Sequence, residues 1–184
     1  MLTIRFDDDK IKKLERELRN FPRALPKVMS RALTRTATSA RTQISRSLAS
    51  RIGIKIKDVR TRLTLTKATY SNWRSRVGIS GRRFGLIKFA ARQTKKGVTY
   101  RKGGRSRVLI RHAFIATMPS GHRGVFIRKA GPRLPIAEMR GPSLAQVFKG
   151  TRGEVDRIQA ESLAKLGKNI HDQVNLILKR KLPA

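Results

Sequence analysis

Between Val108 and Gly150 the chain reads VLIRHAFIATMPSGHRGVFIRKAGPRLPIAEMRGPSLAQVFKG, and no other stretch restricts the fold as strongly. Proline lacks a backbone donor and biases the residue before it away from helix. Gly131-Pro132, Leu134-Pro135 and Gly141-Pro142 therefore predict an extended connector. Ahead of it, Val108 to Met118 is predicted as one strand, Pro119 to Gly124 as a turn, and Val125 to Lys129 as the returning strand of a hairpin. After it, Ser143 and Gln146 have capping-box spacing, so a short helix is expected to start at Ser143. Thr151 and Glu154 repeat that spacing before a terminal helix with Val155, Ile158, Leu163, Leu166, Ile170, Val174 and Ile177 on one stripe. Gly121, Gly124, Pro135, Gly141, Pro142, Ser143 and Gln146 are accordingly assigned to backbone turns and caps, with no chemistry of their own. Gly121-His122-Arg123-Gly124 has the GXXG form of a KH loop, but that loop joins two helices, whereas strand-like runs flank it here.

Upstream, Leu2 to Phe6 alternates and predicts a strand. Asp7, Asp8 and Asp9 sit where negative charge favours a helix start, ahead of Ile11, Leu14 and Leu18. The triplet reads as a cap for a helix ending near Asn20, because three adjacent side chains diverge too much to hold a metal. After Pro22, a second helix is predicted from Pro26 to Ser50, with Val28, Ala32, Leu33, Ala40, Ile44 and Leu48 in its stripe. Its Ser and Thr content weakens an isolated helix, so it needs a sheet or a neighbouring subunit to dock on. Ile54 to Leu63 fits a short basic helix or a strand equally well. Thr64 to Gly81 predicts two strands joined near Ser71 and Asn72, with Trp73 as a core or interface anchor. Phe84 to Ala91 reads as a further strand. The expected fold is α+β: an antiparallel sheet from Thr64 to Lys129, a long N-terminal helix and a C-terminal helix. One domain is expected, in three regions: 1–52, 53–150 and 151–184.

Charge decides which functions this fold can serve. The formal charge is +33, from 44 Lys and Arg against 11 Asp and Glu, and between Glu17 and Glu138 the only acid is Asp58. Such self-repulsion calls for an anionic partner or an assembly. Ribosomal, nucleoid and virion proteins all meet that condition. The run RQTKKGVTYRKGGRSR, from Arg92 to Arg107, is expected as a solvated hairpin or loop, or as a phosphate-contacting arm. Arg82, Arg83, Lys88, Arg92, Lys95, Lys96, Arg101, Lys102, Arg105 and Arg107 are the candidate contacts to DNA or an acidic partner. Tyr100 alone is too little for a stacking surface, so no sequence readout is expected.

Other chemistry is poorly served. The chain has no cysteine, which removes disulfides and thiolate metal sites. His112 and His122 lack companion ligands, and His171 falls at the edge of the terminal helix stripe, so no metal or cofactor is expected. A nuclease wants clustered carboxylates, and the basic centre has only Asp58; Glu138 and His112 can meet in space but share no catalytic spacing. No apolar run approaches the roughly 20 residues that span a bilayer, and the acidic start is unlike a secretory signal. Intracellular synthesis and no membrane partner are expected.

One family pattern accounts for the central segment. Phe114-Ile115-Ala116-Thr117-Met118, Ser120-Gly121-His122, Gly124-Val125-Phe126, Arg128, Pro135-Ile136, Glu138 and Gly141-Pro142-Ser143-Leu144-Ala145-Gln146-Val147 carry it. Together with Arg51-Ile52-Gly53-Ile54, the basic segment to Leu63 and the long helix before it, the chain resembles the phage minor tail protein Z family, the tail completion proteins. The resemblance implies a non-enzymatic virion component at the head-proximal end of the tail, needed to finish the tail before head joining. It implies assembly in the host cytoplasm as a homo-oligomeric ring, expected to be a hexamer. The expected partners are tail terminator, tail tube or neck proteins; the positive charge adds packaged DNA, held without sequence preference, or acidic protein neighbours. A free basic nucleic-acid-binding protein, ribosome- or nucleoid-associated, is the alternative; it explains the charge but not the Gly141 to Val147 motif.

Overall fold

The computed structural model describes residues 2–4, 16, 24–103, 106–129, 132, 134–150 and 152–181, and its fold is mixed α+β. The described elements, in chain order, are β1 (Leu2–Ile4), α1 (Leu25–Ile52), α2 (Ile56–Arg60), β2 (Leu63–Thr66), β3 (Ser75–Ile79), β4 (Arg83–Gly85), a 3-10 turn (Leu86–Lys88), β5 (Arg92–Thr94), β6 (Gly97–Lys102), β7 (Ser106–Arg111), β8 (Ala113–Thr117), β9 (Arg123–Arg128), β10 (Ile136–Glu138), β11 (Arg140–Ser143), α3 (Leu144–Lys149) and α4 (Arg152–Lys181). The expected acid-capped helix at Asp7 to Asp9, and Thr151 of the second capping pair, lie outside the described residues. The chain forms two compact units, one from Met1–Ile44, Leu63–Ile79 and Thr151–Ala184, the other from Ser45–Arg62 and Ser80–Gly150.

The first unit is organised by four-residue steps along two helices. On α1, Val28, Ala32, Thr36, Ala40, Ile44, Leu48 and Ile52 are all at most 3% exposed. Each step of four overshoots a full turn by about 40°, so the buried row winds around the helix. Its members through Ile44 belong to the first unit and the rest to the second. The threonines do not break the helix, because their hydroxyls bond back to it: Thr36 to the Ala32 carbonyl at 2.8 Å, Thr38 to Thr34 at 2.8 Å and Thr42 to Thr38 at 3.0 Å.

On α4 the buried row is Ile158, Ser162, Leu166, Ile170 and Val174, ending at Ile177. Leu163, expected on this stripe, is 50% exposed, because the inner face follows the four-residue row through Ser162. The two helices run antiparallel. Asn169 Nδ2 donates to Thr36 Oγ1 at 2.9 Å, Lys165 Nζ to Ser39 Oγ at 3.5 Å and Gln43 Nε2 to Glu161 Oε2 at 2.8 Å, so numbers fall along one helix as they rise along the other. The first unit's sheet has the order β1-β3-β2, wholly antiparallel. Leu63 and Leu65 stand opposite Ile79 and Val77 on one face, with Thr64 and Thr66 on the other. In the loop between β2 and β3, half-buried Trp73 donates from Nε1 to the Tyr70 carbonyl at 2.9 Å, clamping the turn.

The antiparallel sheet expected from Thr64 to Lys129 is divided: β2 and β3 lie in the first unit's sheet, and the second unit holds three small antiparallel ones, β4 with β11, β5-β6-β7, and β10-β9-β8. Val108 to Met118, expected as one strand, breaks at His112. That residue takes φ +60° and donates its amide to the Lys96 carbonyl at 3.2 Å, which turns the chain from one sheet into the next. Phe84 to Ala91, expected as a strand, is one only at β4. Leu86 and Phe89 are both buried three residues apart, a 3-10 period instead of an alternating one, and the Phe89 amide bonds the Leu86 carbonyl at 3.0 Å. Ile54 to Leu63 resolves as the short helix α2, with Val59 inward.

The Gly/Pro connector is extended but does not run free. β10 pairs with β9, and β11 pairs with β4 with a register shift between Arg140 and Ser143, where Pro142 has no amide to give. The Leu134–Pro135 bond is cis. Gly141 is a close approach: a methyl there would stand 2.5 Å from the ring of buried Phe89. Ser143 caps α3, accepting from the Gln146 amide at 3.2 Å while its own amide donates to Gln146 Oε1 at 3.2 Å.

Candidate anion-binding face

The second unit holds more than half of the 44 Lys and Arg but, of the 11 acids, only Asp58 and Glu138. Both are already engaged within it. Asp58 Oδ1 accepts from Lys88 Nζ at 2.9 Å. Glu138 accepts from His122 Nε2 at 2.9 Å and from Arg140 at 3.0 Å. The histidine beside Glu138 is His122, not His112. The pairing of β9 with β10 places Glu138 opposite Phe126, and His122 sits in the turn that leads into β9. Gly85 and Gly124 leave room for the carboxylate, since a methyl on Gly85 would lie 2.9 Å from Oε1 and one on Gly124 3.4 Å from it. Gly121, at φ +79°, provides the left-handed turn residue next to His122.

This cluster has a testable pH dependence. Burial pushes the Glu138 carboxyl up, but the hydrogen bonds from His122 and Arg140, with the charge of both, outweigh it and hold the group below its ordinary 4.5. A carboxyl depressed in the folded state stabilises the fold above its unfolded pKa and loses that contribution as pH falls through the folded value. The thermal midpoint is therefore expected to drop as pH is lowered below 4.5, and Glu138→Gln is expected to make that acid slope shallower. An unchanged slope in Glu138→Gln would show that the cluster contributes nothing.

The sheet β5-β6-β7 contains no acid at all, and its register sorts the cations. Arg92 pairs with Thr99 and Thr99 with Leu109, Gly97 pairs with Arg111, and Arg101 with Arg107. Residues directly opposite share a face, so Arg92, Arg101, Arg107 and Arg111 all stand on one side. Val98 is fully buried on the opposite side, with Tyr100 and Ile110 half-buried beside it, which makes the arginine side the outer one. Arg107 is anchored there: its Nη2 donates to the Ala90 carbonyl at 3.0 Å and to Thr99 Oγ1 at 3.1 Å.

Of the contacts expected from sequence, Arg92, Arg101 and Arg107 share this face, and Lys95 and Lys96 form the two-residue turn between β5 and β6. Lys102 stands opposite Ser106 at the far end of β6. Arg82 and Arg83 are exposed at the start of β4, away from this sheet in the chain, and Lys88 is committed to Asp58. Arg105 lies outside the described residues. Sequence reasoning missed Arg111 and Arg128. Arg111 has the same strand parity as Arg107, a signal hidden when Val108 to Met118 is taken as one strand. Arg128 packs its guanidinium over the Phe114 ring, 5.1 Å from the centroid, which only the β8–β9 register places.

Two further features bound the chemistry. The described residues include no group of three or more His, Asp or Glu placed to hold a metal ion. No helix among them is long and apolar enough to cross a membrane. Residues 8–180 match the family described as prophage minor tail protein Z (GPZ), and the chain belongs to that family of phage minor tail proteins. No curated protein and no solved structure matches it.

Proposed function

We propose that this protein is a non-catalytic structural subunit of a phage or phage-derived tail. It enters the head-proximal end as a ring, completes the tail for head joining, and turns its second unit towards an anionic partner. Beyond family membership, the supporting observation is the charge distribution: the second unit carries more than half of the 44 Lys and Arg and only two acids, so most of its positive charge is not neutralised by its own carboxylates. A ring repeats one heterologous contact and gathers that charge around an axis, with tail terminator, tube or neck proteins as neighbours. Assembly takes place in the host cytoplasm.

The test is particle assembly. Tails made without this chain are expected to reach full length yet fail to join heads, and adding the purified protein is expected to restore joining. Normal joining in its absence, or its absence from purified tails, overturns the reading.

A further inference from the structure

At one end of the arginine face lies a cleft of about 420 Å³, lined by the Lys95-Lys96 turn, Arg111, His112, Phe114 and Arg128, among others. Four cations converge there and no carboxylate lines it. Its walls are fixed. Gln93 ties β5 to the neighbouring strands: Nε2 donates to the Gly97 carbonyl at 3.2 Å and the Ala113 carbonyl at 3.5 Å, and Oε1 accepts from the Ile115 amide at 2.8 Å. The His112 amide holds the Lys96 carbonyl from the other side at 3.2 Å. The Arg128 guanidinium packs over one face of the Phe114 ring, which orients that guanidinium.

We propose that this cleft seats a phosphate of duplex DNA, held by Lys95, Lys96, Arg111 and Arg128 through charge alone and without base reading. The proposal rests on the tail reading above and names the anionic partner of the same face. Two observations favour DNA over an acidic protein. A protein interface is organised around an apolar centre from which charge is depleted, and this face offers only Leu109, 39% exposed, among its arginines. Further, Arg111 and Arg107 are four residues apart on one face of β7, about 13 Å at strand rise, so cleft and arginine row together follow a charged backbone over several phosphates.

The seat is tested with the full-length protein and a mixed-sequence duplex, by fluorescence anisotropy over a series of salt concentrations. The double variant R111Q/R128Q is expected to bind about tenfold more weakly and to lose about one from the slope of log K against log salt, as for one phosphate no longer neutralised. R111K/R128K keeps the charge and is expected to regain most of the slope, which separates lost contacts from lost folding. The exposed pair K168Q/K179Q on α4 removes the same charge elsewhere and is expected to leave the slope nearly unchanged. Equal losses in both Gln pairs, or an unchanged slope in R111Q/R128Q, overturns the seat. Binding of poly-glutamate with no binding of duplex assigns the face to an acidic protein and also overturns it. Neither result touches the tail reading, which stands or falls on head joining and on the presence of the protein in tails.

Discussion

Alanine at Gly97 is expected to destabilise the second unit by about 3 kcal/mol, through backbone strain together with overpacking. Gly97 takes φ +146°, a region closed to side chains, and a methyl there would collide with the Ile110 carbonyl oxygen. The obstacle is backbone of the paired strand β7, so no rotamer change relieves it. The chain has to pass this close because the two-residue Lys95-Lys96 turn brings β6 straight back along β5 while β7 lies on its other side. Urea unfolding measures the loss. Gly121→Ala is the comparison: Gly121 also has positive φ, +79°, but open space around it. There only the left-handed conformation is penalised, by about 1 kcal/mol. If both variants unfold at the same denaturant concentration, steric closure at Gly97 is absent and the position of the Lys95-Lys96 turn against β7 is wrong.

The contrast between these glycines bears on what the sequence can disclose. Gly121 is recognisable as a turn residue from its neighbours, because a turn is local. Gly97 and Gly141 are required by something distant in sequence, Ile110 in one case and Phe89 in the other, and nothing beside them announces it. The same division runs through the fold. Helices α1 and α4 were legible because their apolar rows are periodic, and the Ser143–Gln146 cap was legible because both partners lie within one turn. The partition into three small sheets was not, since it depends on His112 adopting a left-handed conformation that its apolar flanks conceal. Nor was the pairing of the Pro-rich connector, where β10 and β11 find strands far upstream.

The candidate site divides in the same way. Composition pointed to the basic run and to Lys95, Lys96, Arg92, Arg101 and Arg107 within it. Composition does not report which side of a sheet a cation occupies, and register does: it adds Arg111 and Arg128, and separates Lys88, already bound to Asp58, from the open face. The pairing of Glu138 with His122 is also a register effect.

In the first unit, Leu33→Ala is expected to cost about 3 kcal/mol, whereas Leu163→Ala is expected to stay within about 0.5 kcal/mol. Both leucines fall on the apolar stripes that the sequence predicts, so pattern alone treats them alike. Leu33 is fully buried beside the row that includes Thr36, so truncation there leaves a void in the packed interior of the unit. Leu163 lies off the four-residue row of α4 and is half exposed, so its removal opens no cavity. Chemical denaturation of the isolated protein distinguishes the two. Equal costs would mean that α4 presents its Leu163 face inward, which would rotate Asn169 away from Thr36. That buried hydroxyl would then have only the Ala32 carbonyl of its own helix as a partner.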